Sequence, residues 1–181
     1  DGYTTGGKPL DYRYRSRDNA YGLLFYQIVR PWQGNMVTLG FDYKSYGGKA
    51  WNRFLNHAPD KIMVDTSSYD LGGYAIMQQN LFKDRLTLNA GGRLEHNKSY
   101  GNKWIPQIGL AIRPTENFVI KSSFSKGFRN PTIREMFMWA PANPNLKPEE
   151  MTNYEVVLEH YLFKRSLYLE VSGFIADGKN L

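Results

Sequence analysis

The stretch Arg85–Glu95, RLTLNAGGRLE, decides the fold class because its side chains alternate in character without interruption. One face of this segment carries Leu86, Leu88, Ala90, Gly92 and Leu94. The other face carries Arg85, Thr87, Asn89, Gly91, Arg93 and Glu95. Successive side chains of a β-strand point to opposite faces, so the pattern predicts a strand with one apolar face and one face suited to water.

The same period-two alternation recurs at Met36–Lys44 and at Ser166–Ala176. We predict eight strands, near residues 19–30, 35–46, 69–81, 85–98, 103–113, 117–127, 153–163 and 166–177. Strands of soluble sheets usually have ~5–6 residues, whereas a tilted strand that crosses a membrane needs ~9–11. The length of these runs therefore favours an all-β, antiparallel, up-and-down transmembrane barrel.

The breaks between the predicted strands alternate in length. Short breaks fall at Pro31–Gly34, Phe82–Asp84, Arg113–Asn117 and Phe163–Arg165. Longer breaks fall at Gly47–Ser68 and Gly127–Thr152, with a tighter one at Ser99–Asn102. Short turns at one end and long loops at the other are typical of outer-membrane barrels, and the rings near both ends of the strands predict two aromatic girdles.

Composition excludes several other classes of protein. Aromatic residues make up 15% of the 181 residues, yet the mean hydropathy is -0.54 and no apolar run is long enough for a membrane-spanning helix. The chain has no cysteine, which removes disulfides and thiolate metal sites. Its net charge of +6 comes from scattered Lys and Arg, so we predict no nucleic-acid partner.

The segment Ser123–Glu159 carries the most specific motifs, SKGFRNP followed by NPNLKPE. The motif residues are Phe128, Arg129, Pro131, Asn143, Pro144, Asn145, Leu146, Pro148 and Glu149. In these motifs, and in the Asn-Tyr-Glu that follows, the chain resembles TonB-dependent outer-membrane receptors over residues 20–181. The prolines and asparagines are typical of a loop with a fixed path, and Thr132 followed by Glu135 predicts a capping box that starts a helix from Thr132 to Met138.

The resemblance implies a segment of a larger barrel of about 22 strands whose lumen is filled by a plug domain. We expect residues 1–18 to be a poorly defined leading segment and residues 19–181 to be a partial barrel without the plug. The implied location is the outer membrane, and the implied partners are outer-membrane lipid, a small-molecule ligand and the TonB complex. TonB would be engaged through parts that residues 1–181 do not contain.

The resemblance also implies that ligand is bound by the loops at the barrel mouth. The candidate contacts are Trp51, Arg53, His57, Arg129, Arg134 and Trp139, because arginine pairs with anionic groups and rings cover apolar surface. Haem receptors of this family place a histidine between the two motifs, and residues 130–142 contain none. We predict neither a resident cofactor nor a metal site.

Three kinds of protein remain open at this stage. No nucleophile motif, phosphate loop or convergent acid pair is present, so the chain is predicted not to be an enzyme. The leading hypothesis is a receptor that takes up a siderophore, cobalamin or similar scarce ligand. The alternatives are a porin-type outer-membrane barrel and a soluble carbohydrate-binding β-sandwich.

Overall fold

A computed structural model describes residues 11–56, 58–137 and 143–181. They form eight strands, β1 to β8, and one short helix, α1. The bounds are β1 Tyr12–Val29, β2 Asn35–Phe54, β3 Lys61–Leu81, β4 Leu86–Asn97, β5 Gly101–Thr115, β6 Phe118–Arg129, α1 Ile133–Phe137, β7 Glu149–Leu162 and β8 Leu167–Lys179. Within this part of the chain, no helix is long and apolar enough to span a membrane.

The strands lie in one antiparallel sheet in the order of the chain, β1 to β8. Each strand pairs with its neighbours in sequence, which confirms the up-and-down topology and the eight predicted strands. In the described ranges β1 and β8 each pair on one side, so the sheet is open. The strands do not divide into the two packed sheets of a sandwich.

The register separates the sheet into two chemically different faces. Asp42, Gly72 and Glu95 are aligned on one face, which we call the inner face. Phe41 and Leu94 lie on the opposite, outer face. Large apolar side chains there stay open, with Phe41 42% and Leu94 53% exposed, a surface suited to lipid and costly in water.

Rings form an aromatic band across β1 to β4 on the outer face. Centroid separations are 6.4 Å for Tyr21–Tyr43, 6.2 Å for Tyr43–Tyr69 and 6.1 Å for Tyr69–His96. A second contact on this face, Phe118–His160 at 5.6 Å, lies near the opposite end of the strands. Rings therefore occur at both levels where girdles were predicted.

The turns at the lower end of the sheet, residues 30–34, 82–85, 116–117 and 163–166, are short as predicted. In two of them three successive residues adopt positive φ, namely Phe82–Asp84 and Phe163–Arg165. Gly34 closes the first turn at φ 74°. At the upper end residues 130–148 connect β6 to β7, whereas β4 and β5 are joined by residues 98–100 alone.

The predicted loop Gly47–Ser68 is wrong, because β2 and β3 continue through most of it. Gly47 pairs with Ser67 and Lys49 with Asp65, which leaves residues 55–60 as the connection. The polar composition of this segment suggested a loop. A hairpin outside the membrane needs no apolar face, because pairing between its strands satisfies the hydrogen bonds of its backbone. The segment Ser45–Phe54 extends the hairpin by roughly 33 Å at ~3.3 Å per residue.

Strand β1 also starts earlier than expected. It begins at Tyr12 and pairs with β2 from Tyr12↔Phe54 onward, so residues 12–18 belong to the sheet and not to a leading segment. Residues 12–18 are polar and show no apolar alternation, so the sequence did not indicate a strand there. They form one because the long β2 strand supplies hydrogen-bond partners to their backbone.

Candidate functional site

The long β6–β7 loop is closed at its base by Arg129, the last residue of β6. Its Nε and Nη2 donate to Glu149 at 2.9 and 2.6 Å, and its Nη1 donates to Glu135 of α1 at 3.0 Å. A planar guanidinium suits this fork geometry. Arg129, predicted as a ligand contact, is thus engaged by two carboxylates that fix the loop against the strand.

The capping box at the start of α1 is confirmed. The backbone N–H of Thr132 donates to Glu135 Oε2 at 2.8 Å, and the N–H of Glu135 donates to Thr132 Oγ1 at 3.2 Å. The hydrogen bond from the Thr132 backbone and those from Arg129 hold the pKa of Glu135 below its usual range. The helix covers Ile133–Phe137, and Met138, where it was predicted to end, lies outside the described residues.

The second motif forms the return path of the loop. The Asn143 N–H donates to the Glu135 carbonyl at 3.1 Å, which satisfies a carbonyl of α1. Asn143 Oδ1 accepts from the Asn145 N–H at 2.9 Å, an Asx turn, and the Leu146 N–H donates to the Asn143 carbonyl at 3.3 Å. Pro148 is buried, and its carbonyl accepts from Asn180 Nδ2 at 3.0 Å.

A second set of contacts holds α1 from the β4–β5 turn. The Tyr100 hydroxyl donates to Met136 Sδ at 3.0 Å. That turn is built on Asn97, 2% exposed, whose Oδ1 accepts from the Ser99 and Tyr100 N–H groups at 2.7 and 3.0 Å. Asn97 Nδ2 donates to Asp70 Oδ1 at 2.6 Å. The helix is therefore fixed between β6 and the turn, over the inner face.

Beneath α1 the inner face forms a cleft of about 1100 Å³. Residues of β1 to β6 and residues 130–134 line it, and the lining combines both signs of charge with rings. The charged and aromatic members include Tyr14, Asp18, Lys44, Tyr46, Asp70, Glu95 and Arg134. Such a lining is suited to a large polar ligand with both hydrogen-bonding and apolar parts.

An ion network lies next to the cleft on the same face. Arg93 Nη2 donates to Asp42 Oδ1 and Arg93 Nε donates to Glu95 Oε2, both at 2.9 Å. Gly72 leaves room for this guanidinium, since a Cβ there would overlap it. The network joins β2 to β4 across β3 and holds the Glu95 carboxylate at the cleft wall.

The structure brings one of the six predicted ligand contacts, Arg134, to the cleft. Trp51 and Arg53 were expected in a loop but lie in β2, opposite Arg15 and Arg13 of β1. Strand alternation from Asp42 places both on the outer face, away from the cleft. His57 and Trp139 lie outside the described residues.

Several cleft residues were missed by the sequence reasoning, notably Lys44, Asp70 and Glu95. The available signal was their place on the polar face near the upper ends of predicted strands. The motifs favoured the loops as the place of ligand contact, whereas most of the residues that line the cleft belong to strands.

An open antiparallel sheet with a lipid-suited outer face, a polar inner face and a loop packed over its upper end has the features of an outer-membrane barrel wall. The family model for the "TonB dependent receptor-like, beta-barrel" domain matches residues 1–181. The chain belongs to this family of outer-membrane receptors.

Among curated proteins, a vitamin B12 transporter BtuB of Vibrio vulnificus is 31% identical over 169 residues, covering 90% of this chain and 25% of its own length. An iron-regulated outer membrane virulence protein of Vibrio cholerae is 33% identical over 142 residues, covering 72% of this chain and 21% of its own length. This chain thus spans about a quarter or less of the length of these relatives.

Solved receptors share the fold at low identity. The siderophore receptor PirA of Pseudomonas aeruginosa superposes with a TM-score of 0.75 at 18% identity, covering 90% of this chain and 32% of its own. A ferric enterobactin receptor of the same organism superposes with a TM-score of 0.69 at 17% identity, covering 92% of this chain and 27% of its own.

Proposed function

We propose that this chain forms part of the wall and mouth of a receptor that binds a scarce ligand, a siderophore, cobalamin or a similar molecule, for TonB-driven uptake. The observation that carries the proposal is the mixed-charge cleft of about 1100 Å³ beneath a loop fixed by the Arg129 network. Drug-sized ligands occupy pockets of ~300–1000 Å³, so the cleft has the size for a metal chelate or a corrinoid.

Arg134 is the proposed contact for anionic groups of the ligand, because it lines the cleft from the first turn of α1. Arg129 is a positioning residue in this proposal, since its guanidinium fixes the loop that carries Arg134. His57 and Trp139 remain candidates by their place in the sequence. Trp51 and Arg53 lie on the outer face of β2 and are not assigned to the cleft in this proposal.

The transport step is tested with the full-length protein in a host that lacks its own receptors. Uptake of a labelled ferric catecholate, a ferric hydroxamate and cobalamin is measured with and without functional TonB. We expect uptake of one ligand class, abolished when TonB is inactive. Uptake that continues without TonB would instead indicate a porin-type barrel.

The cleft is tested by quenching of tryptophan fluorescence in the purified full-length protein. Arg134→Ala should weaken binding of the transported ligand about tenfold, the loss of one charge-assisted contact. Arg85→Ala, which removes the same charge from the lower end, is the matched control and should leave affinity unchanged. Equal affinity in both variants would remove Arg134 from the binding site.

A further inference from the structure

Strands β5 and β6 separate in the upper part of the sheet. Within the described ranges their pairing begins at Gln107↔Ser125 and runs down toward the lower turn. Above that pair, residues 101–106 pair with β4 alone and residues 126–129 pair with β7 alone. Each of the two strands is thus still paired on its far side, so the separation lies inside the sheet and not at its open edges.

Pro106 lies where the pairing stops, and its missing N–H faces β6. The Arg113 N–H donates to the Arg85 carbonyl at 2.7 Å, so the backbone groups of Arg113 point toward β4. This direction alternates along a strand, and Pro106, at an odd spacing from Arg113, therefore faces β6. Proline cannot donate to a ladder, which explains why pairing with β6 ends at this residue.

The separated segments bound an opening in the wall, which we call the lateral window. Its base is the uppermost pair of the β5–β6 ladder. Its upper end is spanned by the ion pair between Lys103 of β5 and Glu150 of β7. Between these limits the lateral window comprises residues 104–106 of β5 and residues 126–128 of β6.

On the inner side the lateral window opens onto the cleft. Ile105 from β5 and Gly127 and Phe128 from β6 all line that cleft. In the described part of the chain, no heavy atom lies within 4 Å of the place that a Cβ of Gly127 would occupy. Unpaired backbone at membrane depth is tolerated where it lines a cavity, and the cleft provides one here.

On the outer side the lateral window reaches below the level of the lipid headgroups. Asn102 pairs with His96, whose ring belongs to the aromatic band, and such bands mark the headgroup level. Gln107 lies five residues further down, ~17 Å along the strand and ~13 Å along the membrane normal at a tilt near 40°. The base of the window therefore faces the acyl chains of the outer leaflet.

An apolar furrow of about 680 Å³ lies directly below the lateral window on the outer face. Its upper row is Ile108, Phe124 and Tyr154, and the pair Ile108↔Phe124 is next to the base of the window. The rings of Phe124 and Tyr154 are 5.2 Å apart. Ser122 and Val156 belong to the next row. The cleft, the lateral window and the furrow are thus consecutive.

We propose that the lateral window passes the acyl chain of an amphiphilic ligand, whose polar head occupies the cleft and whose chain lies in the furrow. This inference rests on the proposed function, since the head must bind in the cleft. A hydrocarbon chain gains free energy by leaving water for an apolar surface, which a water-filled lumen does not offer. The chain of a membrane lipid reaches the furrow alone, whereas a ligand seated in the cleft uses the whole path.

The first test compares bare and acylated probes on the full-length protein in lipid nanodiscs. The probes are the ferric hydroxamate, the ferric catecholate and the cobalamin of the uptake assay, each bare and with a dodecanoyl chain. Calorimetry gives the chain advantage, which is the Kd of the bare probe divided by the Kd of its dodecanoyl form. For the ligand class that is taken up, we expect a chain advantage of at least about tenfold.

A substitution separates passage through the lateral window from partition into the bilayer. Gly127→Phe places a ring in the open inner entrance and should reduce the chain advantage about fivefold or more. Gly73→Phe adds the same ring on the lipid side of β3 and is the matched control, with the same partition. Equal chain advantages in the two variants would overturn the inference and leave the proposed function standing. Failure of every bare probe to bind would overturn the proposed function and this inference with it.

A second measurement needs no variant and so does not depend on folding of an altered barrel. The dodecanoyl probes carry a diazirine at the chain end, and labelled residues are mapped by mass spectrometry after irradiation. We expect labelling of Ile108, Phe124 and Tyr154 that an excess of the bare probe displaces. Dodecanoic acid with the same diazirine has no head, so the bare probe should not displace it. Labelling confined to the cleft, or furrow labelling by the acylated probe that the bare probe leaves in place, would contradict the inference.

Discussion

At the scale of single residues, Arg129 shows how a family motif acts through structure. Its guanidinium joins the end of β6, the start of β7 and helix α1 through Glu149 and Glu135. Arg129 and Glu149 belong to the family motifs and Glu135 does not. The motifs alone do not indicate that these three side chains are in contact. The pairing arises because β6 and β7 place Arg129 directly opposite Glu149.

Arg129→Ala should release the β6–β7 loop. With its two carboxylates left unpaired, α1 loses its link to β6, and proteinase K should cleave within residues 130–148 on the order of fivefold faster. Lys147→Ala removes an exposed charge from the same loop and serves as control. Unchanged cleavage in Arg129→Ala, measured in outer-membrane vesicles, would show that the network does not hold the loop.

The depressed pKa of Glu135 predicts a loop that loosens in acid. A carboxylate whose pKa is lowered on folding contributes stability that is complete above its unfolded-state value, near 4.3, and that is lost as pH falls through the folded value. A nitroxide at Phe137→Cys should be immobile at neutral pH and become mobile only once the pH has fallen below that unfolded-state value, through the lowered pKa of Glu135. With Glu135→Gln added, mobility should be higher at pH 7 and should not change across this acid range.

At the scale of elements, alternate side chains of each strand lie on the polar inner face and on the lipid-suited outer face. Arg93 is held at 2.9 Å from both Asp42 and Glu95 on the inner face, and Gly72 provides the space for it. Gly73, the next residue, lies on the outer face, with nothing within 4 Å of the position of an added Cβ. Adjacent glycines in one strand therefore have different reasons to be small.

Gly72→Ala should destabilise the barrel by about 1–3 kcal/mol, because an anchored guanidinium must leave its carboxylates to make room. Gly73→Ala should have little effect, since its methyl group enters open space on the lipid side. The temperature at which heat-modifiable migration is lost on a gel compares the two. Equal temperatures for both variants would refute this account of Gly72.

At the scale of the whole molecule, the strands on one side of the sheet are longer than those on the other. Strands β1 to β3 have 18 to 21 residues, whereas β4 to β8 have 12 to 15. The β2–β3 hairpin thus rises above the β4–β5 turn. The cleft and α1 lie on the inner face near the level of that turn.

This arrangement predicts a pattern of cysteine labelling on intact cells, measured in full-length protein in which any cysteine outside residues 1–181 has been replaced, since residues 1–181 contain none. Lys61→Cys at the top of the hairpin should react with a membrane-impermeant maleimide. Lys83→Cys in a lower turn should react after lysis only, and Phe41→Cys should stay unreactive while lipid covers it. Reaction of Lys83→Cys in intact cells would reverse the orientation of the sheet.

The sequence by itself determined the features that depend on neighbouring residues. Alternation at Arg85–Glu95 and its repeats predicted the strands and their two faces, turn-forming residues predicted the lower turns, and Thr132 with Glu135 predicted the cap of α1. These signals are local, since period-two geometry and capping need a few consecutive residues.

The tertiary structure decided what depends on partners distant in sequence. Above Lys44 the side chains of β2 no longer alternate between apolar and polar, so the sequence did not show that the strand continues there. Its pairing with β1 is unbroken from Val37 to Phe54, and alternation along that strand places Trp51 and Arg53 on the outer face. Pairing with β1 and β3 likewise turned a predicted loop into a tall hairpin. Backbone partners supplied by neighbouring strands, and not side-chain pattern, determine how far a strand continues.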